Sequence, residues 1–321
     1  MTRLARQTFA SLAVPNYRRF FFGMLVSASG TWMQTVAQGW LVLELTGSGT
    51  AVGLVTAAQM LPMLVGGMWG GVVADRFDKR RTLLASQTGM AVVAASLAAV
   101  TIAGVVELWM VFTAAVLTGV CNAVDHPTRH SFVSELVGPD RLTNAVALNS
   151  AAFNSARTIG PGLAGGLILV GGTGTCFAVN AVSYLAVIAA LAGMRTDELH
   201  RGRPAGRSPG QIRAGLRYTL RSPELRPVLL LVAIVGTFAF NFQVLLPLMA
   251  RFTFDGGPGM LGLLTAVFGA GSVVGALAAA ARGRPRPGFV AGACAVFGLL
   301  MLALAAAPNV GVAVAVLVAL G

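Results

Sequence analysis

Arg157 lies near the middle of an apolar run, and Ser150, Asn154 and Pro161 share its helical face by steps of four, three and four. A guanidinium at that depth in hydrocarbon is costly unless it faces a cavity or a partner, which makes this stripe the first candidate for a binding function. The local alternative is an arginine bonded to carbonyls freed by Pro161 or to a neighbouring asparagine. Gln34, Gln38, Asn122, Asn241 and Gln243 are further polar side chains inside apolar runs. They line the same cavity or bond helix to helix. Asp125 is a poor partner for Arg157, because the two differ in depth by ~15 Å when counted from the inner ends of their runs. All of this is recognition chemistry. The chain has no Gly-x-Ser-x-Gly elbow, no His-Glu-x-x-His and no Gly-Lys-Ser/Thr loop, so neither hydrolysis nor ATP use is expected. His126 and His130 are spaced i, i+4 as helical metal ligands would be, but no convincing third ligand accompanies them. No metal or cofactor is expected.

The elements that must position these residues follow from hydropathy. The chain is 56% hydrophobic and 11% charged, with a mean hydropathy of +0.77. Its apolar residues come in runs of about 20, the length an α-helix needs to cross ~30 Å of hydrocarbon. Spans are predicted near 20–45, 50–74, 82–104, 108–128, 144–170, 174–194, 226–250, 260–281 and 288–307. A tenth run begins at Val310 and reaches Gly321, which gives only ~18 Å of helix and reads as a span cut short. Lys and Arg then set the orientation. With the N-terminus inside, 21 of the 23 basic residues fall in inner segments; Arg251 is outside and Arg157 is within a span. The net charge of +12 is thus spread over short loops at one membrane face, which argues against nucleic acid as the partner. Cys121, Cys176 and Cys294 all lie in apolar runs, with no pairing pattern.

Two short matches suggest an internal repeat. "PNYRR" from Pro15 and "PELRP" from Pro223, with "GLVTA" from Gly53 and "GLLTA" from Gly262, lie 208 and 209 residues apart. Parallel six-helix halves are one arrangement used by alternating-access carriers. The divisions expected are 1–19 as a cytoplasmic N-terminus, 20–194 as the first half, 195–225 as a linker and 226–321 as an incomplete second half. Within the linker, Arg213, Arg217 and Arg221 run beside Ile212, Leu216 and Leu220, the pattern of a helix on the inner leaflet or of a solvated tether.

"GGVVADRFDKRR" resembles the loop signature of the major facilitator superfamily, carried here by Gly71, Asp75, Arg76, Lys79, Arg80 and Arg81, with Asp78 where the family usually has Gly. "RTIGPGLAGG", with Gly160, Pro161, Gly165 and Gly166, resembles the fifth-helix Gly-Pro signature of the superfamily's antiporters. "WLVLELTGSGTAVGL" and "FVSELVGPDRLTNAVALNS" resemble the branch that includes enterobactin exporters and macrolide efflux proteins. The resemblance implies an all-α membrane protein of two six-helix halves, the second truncated, with about nine complete spans. It implies a secondary exporter of a small amphipathic molecule, with protons as coupling ion and the plasma (inner) membrane as location. It also implies a relay from Lys79 to an acid on the fourth helix.

Physically, Asp75 and Asp78 oppose the positive-inside bias, and a carboxylate there needs a partner or a helix N-terminus. Lys79 or Arg80 is expected to pair with Asp125 and hold one transport state closed. The Gly-Pro segment is either a gating kink or a packing seam. Gly66, Gly67, Gly70, Gly71, Gly271 and Gly275 are expected to pack helices. Glu44 near an outer end and Asp125 near an inner one leave no acid deep in a span, which favours neutral or anionic cargo. The other readings are a non-transporting receptor or scaffold and an inactive remnant of a carrier.

Overall fold

The computed structural model describes residues 9–200, 222, 230, 241–282 and 287–321. The predicted linker helix and most of the predicted span at 226–250 lie outside the described residues. Among the described residues all regular structure is helical. Helix α1 (Pro15–Thr46) is followed by α2 (Gly49–Arg76), α3 (Lys79–Ile102), α4 (Leu108–Val137) and α5 (Leu142–Ala192). After them come α6 (Phe242–Leu248) with a π-helical turn at Met249–Thr253, then α7 (Pro258–Arg282), α8 (Pro287–Ala305) and α9 (Val310–Leu320).

Local chemistry sets the boundaries. Pro15 opens α1 at a position where a missing N–H costs nothing. Gly47 closes it in the left-handed region at φ 60°, returning its N–H to Leu43 O. The Ser48 hydroxyl caps α2 by accepting from Ala51 N, and the Asp78 carboxylate caps α3 by accepting from Arg81 N at 2.9 Å. Asp78 therefore has the helix-start role that an acid beside this basic turn requires. Gly172, at φ 73° and ψ 177°, breaks α5 between the two spans predicted at 144–170 and 174–194.

Five segments among the described residues are long and apolar enough to cross a membrane: Gly49–Gly67, Lys79–Ile102, Leu108–Val137, Pro139–Ala192 and Pro258–Gly275. The fourth, 54 residues long, would extend ~80 Å as helix, enough for two crossings with Gly172 at the turn. Helix α1 has the length, but Ser27, Thr31, Gln34, Thr35 and Gln38 dilute its hydropathy, and these residues turn inward to neighbours and cavities.

Helix α1 packs along α5, α2 along α4, and α3 against both α4 and α5. Helix α7 joins this bundle through α5 and carries α9 on its other side. At the Gly47 end one apolar core joins Trp40, Val52 and Phe177 of the first five helices to Phe242, Leu246, Leu261 and Leu317 of the later ones. At the Lys79 end, the described core of Tyr17, Phe20, Leu83, Phe132, Leu136 and Leu191 belongs to α1 and α3–α5 alone. Burial of such side chains contributes about 1.5–3 kcal/mol each in water, but in lipid close packing carries more of the stability.

Candidate functional site

Backbone proximity creates the site. A Cβ on Gly160 would lie 2.4 Å from Ser29 O and 2.7 Å from Trp32 Cβ, so only glycine lets α5 approach α1 here. That contact sets Arg157, one turn earlier on α5, with its guanidinium carbon 5.8 Å from the centre of the Trp32 ring. Gly165 and Gly262 repeat the device between α5 and α7, where a Cβ on either glycine would fall within 2.7 Å of the other's Cα. The Gly-Pro segment thus acts in this conformation as a packing seam. Its backbone stays helical through Pro161, and the break in α5 comes at Gly172. Gly166 has open space around it.

Between the paired helices lies a cavity of about 210 Å³. Trp32 and Thr35 come from α1, Arg157 and Pro161 from α5, Phe242 and Gln243 from α6, and Thr265 and Phe268 from α7. Phe242 and Phe268 stack at 4.2 Å and 30°, giving the chamber an aromatic floor. The Arg157 side chain is half-buried. A cation over an indole face contributes about 0.5–2 kcal/mol, depending on how dry the site is.

The predicted polar residues divide into two groups. Arg157 and Gln243 share the chamber, and Asn154 joins Arg157 in an adjoining cavity also lined by Ser272. Asn122 lines a third cavity with Met60, Met63 and Tyr184, which shares Trp32, Thr35 and Gln243 with the chamber. Gln34 does not join them. It is buried and accepts from Asn180 Nδ2 at 2.6 Å, the helix-to-helix alternative. Gln38 is buried in α1, and Asn241 stands exposed at the start of α6. The sequence reading missed Trp32, Phe242 and Phe268. Trp32 carried a signal, because tryptophan favours the membrane interface and this one sits mid-span.

The expected bond from Lys79 or Arg80 to Asp125 is not the one formed. Lys79 Nζ meets Glu135 Oε1 at 2.5 Å, and Arg80 donates to Leu191 O at 2.6 Å and Ala192 O at 2.9 Å. Antiparallel register is the reason: as α3 runs from 79 to 87, α4 runs from 135 to 125, so Lys79 and Asp125 sit at levels ~12–15 Å apart. Asp125 instead accepts from Ser86 Oγ at 2.9 Å and Gln87 Nε2 at 2.7 Å, and pairs with Arg129 one turn along its own helix. Helix α4 runs nine residues past the predicted end at 128, which places Asp125 three turns inside it and wholly buried. Asp125 is thus a carboxylate enclosed by the helices rather than one at a helix end. In the loop signature, Gly70 makes the close approach, its would-be Cβ falling 1.9 Å from Ala123 O, while Gly71 has open space. Asp75 and Arg76 end α2 beside it, and Asp75 is exposed. His126 and His130 line a cavity with Arg129, and among the described residues no group of three His, Cys, Asp or Glu is placed to hold a metal.

Residues 6–321 match the family described as transmembrane secretion effector. The staphyloferrin A transporter of Staphylococcus aureus is 24% identical over 259 residues, covering 80% of this chain and 65% of that protein. The multidrug efflux pump Tap of Mycolicibacterium fortuitum is 29% identical over 276 residues, 82% of this chain and 66% of the pump. The enterobactin exporter EntS of Citrobacter koseri is 25% identical over 271 residues, 82% of this chain and 62% of the exporter. The chain therefore spans about two-thirds of the length of these relatives or slightly less. Among solved structures, that of a D-xylose–proton symporter superposes with a TM-score of 0.59 at 15% identity, over 93% of this chain and 78% of the symporter.

Proposed function

The chain belongs to the transmembrane secretion effector family of the major facilitator superfamily, and from that premise we propose that it exports a small amphipathic molecule by alternating access. The proposed cargo is a drug, siderophore or similar secondary metabolite. The observation that carries the reading is the Arg157 guanidinium over Trp32, inside an aromatic chamber walled by helices from both parts of the chain. An organic anion leaving water needs a cation where it is desolvated, and its apolar body needs aromatic surface. The chamber offers both, which favours neutral or anionic cargo over cations.

In this reading residues 20–194 form a six-pass first half, 195–225 a cytoplasmic linker and 226–321 part of a second half. The distribution of Lys and Arg puts the N-terminus and the Lys79 end in the cytoplasm of a cell whose plasma membrane holds the protein. The core at the Gly47 end joins both parts and would be the closed outer gate. The cavity lined by Trp32, Asn122, His126 and Arg129 leads from the chamber toward the inside.

Coupling to protons is assigned to Asp125, the fully buried carboxylate among the described residues. Its charge holds Arg129, Ser86 and Gln87 together, and protonation would release the first of these. In cells expressing the chain, naphthoate is expected to be extruded faster than methyl naphthoate, and Arg157→Gln to remove the difference. Asp125→Asn is expected to abolish accumulation driven by a pH gradient while downhill flux survives. Equal handling of the acid and the ester by the unaltered chain would end the anion-binding role of Arg157, and equal handling of naphthoate and the cation naphthylmethylammonium would end the cargo assignment.

A further inference from the structure

The cavity of His126 and His130, of about 250 Å³, lies between α4 and α5 toward the Lys79 end, with Met24 of α1 as its side wall. From α4 it receives His126, Arg129 and His130, whose spacing of three and four puts them on one helical face. From α5 it receives Asn149, Ser150 and Asn154. The role of this group is separate from that of the Arg157 chamber.

Charge and hydrogen bonding make this cavity a donor-rich pocket. The guanidinium of Arg129 has five N–H groups, and one of its terminal nitrogens is engaged by Asp125. Asp125 is itself wholly buried, does not line the cavity and already takes donors from Ser86 and Gln87. Tyr17 Oη lies 3.1 Å from Asn149 Oδ1 and donates there or to Ala145 O, so Asn149 offers the cavity an N–H. Each imidazole brings at least one further N–H, neutral or charged. Ser150 already donates to Val146 O and adds oxygen, while Asn154 donates one N–H to Ser150 O and adds its second N–H and its carbonyl oxygen. The rest of the wall is apolar: Met24, Val133, Val146 and Phe153.

The pocket also leads somewhere. His126, Arg129 and Phe153 line the neighbouring cavity that reaches Trp32 and Gln243, and the Phe153 ring packs edge-on against Trp32 at 5.7 Å. We propose that this pocket is a loading subsite, in which the carboxylate of an organic anion is held by His126, Arg129, His130 and Asn149 before the molecule moves on to the Arg157 chamber. The proposal rests on the reading of that chamber as the transport site. Clustered donors without an exposed acid suit an oxyanion, and a carboxylate bound to charge-assisted donors gains more than a neutral ester can.

Binding of naphthoate to the full chain in phosphatidylcholine nanodiscs tests this, with methyl naphthoate as the uncharged control. The Arg157→Gln background isolates the pocket. There naphthoate is expected to bind, and His126→Leu/His130→Leu to weaken it at least about tenfold, since hydrogen bonds to a charged group are involved. The ester should change by less than about twofold. Thermal unfolding within a few degrees of the parent guards against a folding defect, and Arg129→Lys, which keeps the partner of Asp125, should weaken naphthoate as well. Equal affinity with and without the two histidines, or no binding in the Arg157→Gln background, would overturn the subsite but leave the chamber standing. Loss of naphthoate on adding phosphatidylglycerol would assign the pocket to a lipid headgroup and overturn the subsite, again leaving the chamber standing.

Discussion

Removing the two partners of the buried ion pair should have unequal costs. Asp125 has 0% side-chain exposure and Arg129 20%, so the carboxylate depends on its partner more than the guanidinium does. Arg129→Gln leaves an anion in the packed core with only Ser86 and Gln87 as donors. Breaking a buried pair from one side costs about 3–5 kcal/mol, and the two remaining donors reduce this to roughly 2–3 kcal/mol. Asp125→Asn leaves the cation facing a cavity it can share with water, at about 1 kcal/mol. In that variant the amide oxygen still accepts from Ser86 and Gln87, while the NH2 group meets the donors of Arg129. Gln at 129 supplies an acceptor for it, so the double variant should recover about 1–2 kcal/mol relative to the sum of the single ones. Unfolding free energies from SDS titration in mixed micelles, followed by tryptophan fluorescence, measure all four corners of the cycle. Asp125→Asn costing as much as Arg129→Gln, or strict additivity, would refute the argument.

Three further outcomes follow from the packing. Gly165→Val should cost about 1–3 kcal/mol and slow export, because a Cβ would sit 2.2 Å from Gly262 Cα where ordinary contact begins near 3.4 Å; Gly166→Ala, in open space, should change the same unfolding measurement by less than about 0.5 kcal/mol. Gly172→Ala forces an L-residue into φ 73°, ψ 177°, and should lower stability by about 1–3 kcal/mol, read from the unfolding midpoint. Lys79→Gln breaks a partly exposed pair with Glu135 and should shift the midpoint by less than about 1 kcal/mol.

The helices were legible because the solvent writes them plainly: a long apolar run without charge has little choice but to span or to be buried as helix. The acid at 78 stands at a helix start, and the break at Gly172 falls between the runs predicted at 144–170 and 174–194, whereas α1 begins at Pro15, five residues before the predicted 20. The end of α4 was missed because His130 and Glu135 look like loop residues, whereas helix hydrogen bonding continues beyond the apolar stretch to Val137. The partner of Lys79 was missed for a related reason. A sequence shows which charges are near a turn, but register between antiparallel helices depends on side-chain packing that no local pattern records. Arg157 was found because a charge in an apolar run is conspicuous. Phe242 and Phe268 look like any other greasy residues until two helices bring them to 4.2 Å. Gln34 shows the converse, since a polar residue at mid-span is equally well explained by a bond to Asn180.

The most direct measurement is naphthoate flux across proteoliposomes containing the chain, under an imposed pH gradient and with folding verified beforehand. The account predicts concentrative movement against the naphthoate gradient that disappears in Arg157→Gln. Flux no faster than that of protein-free liposomes, or concentrative flux untouched by Arg157→Gln, would contradict it.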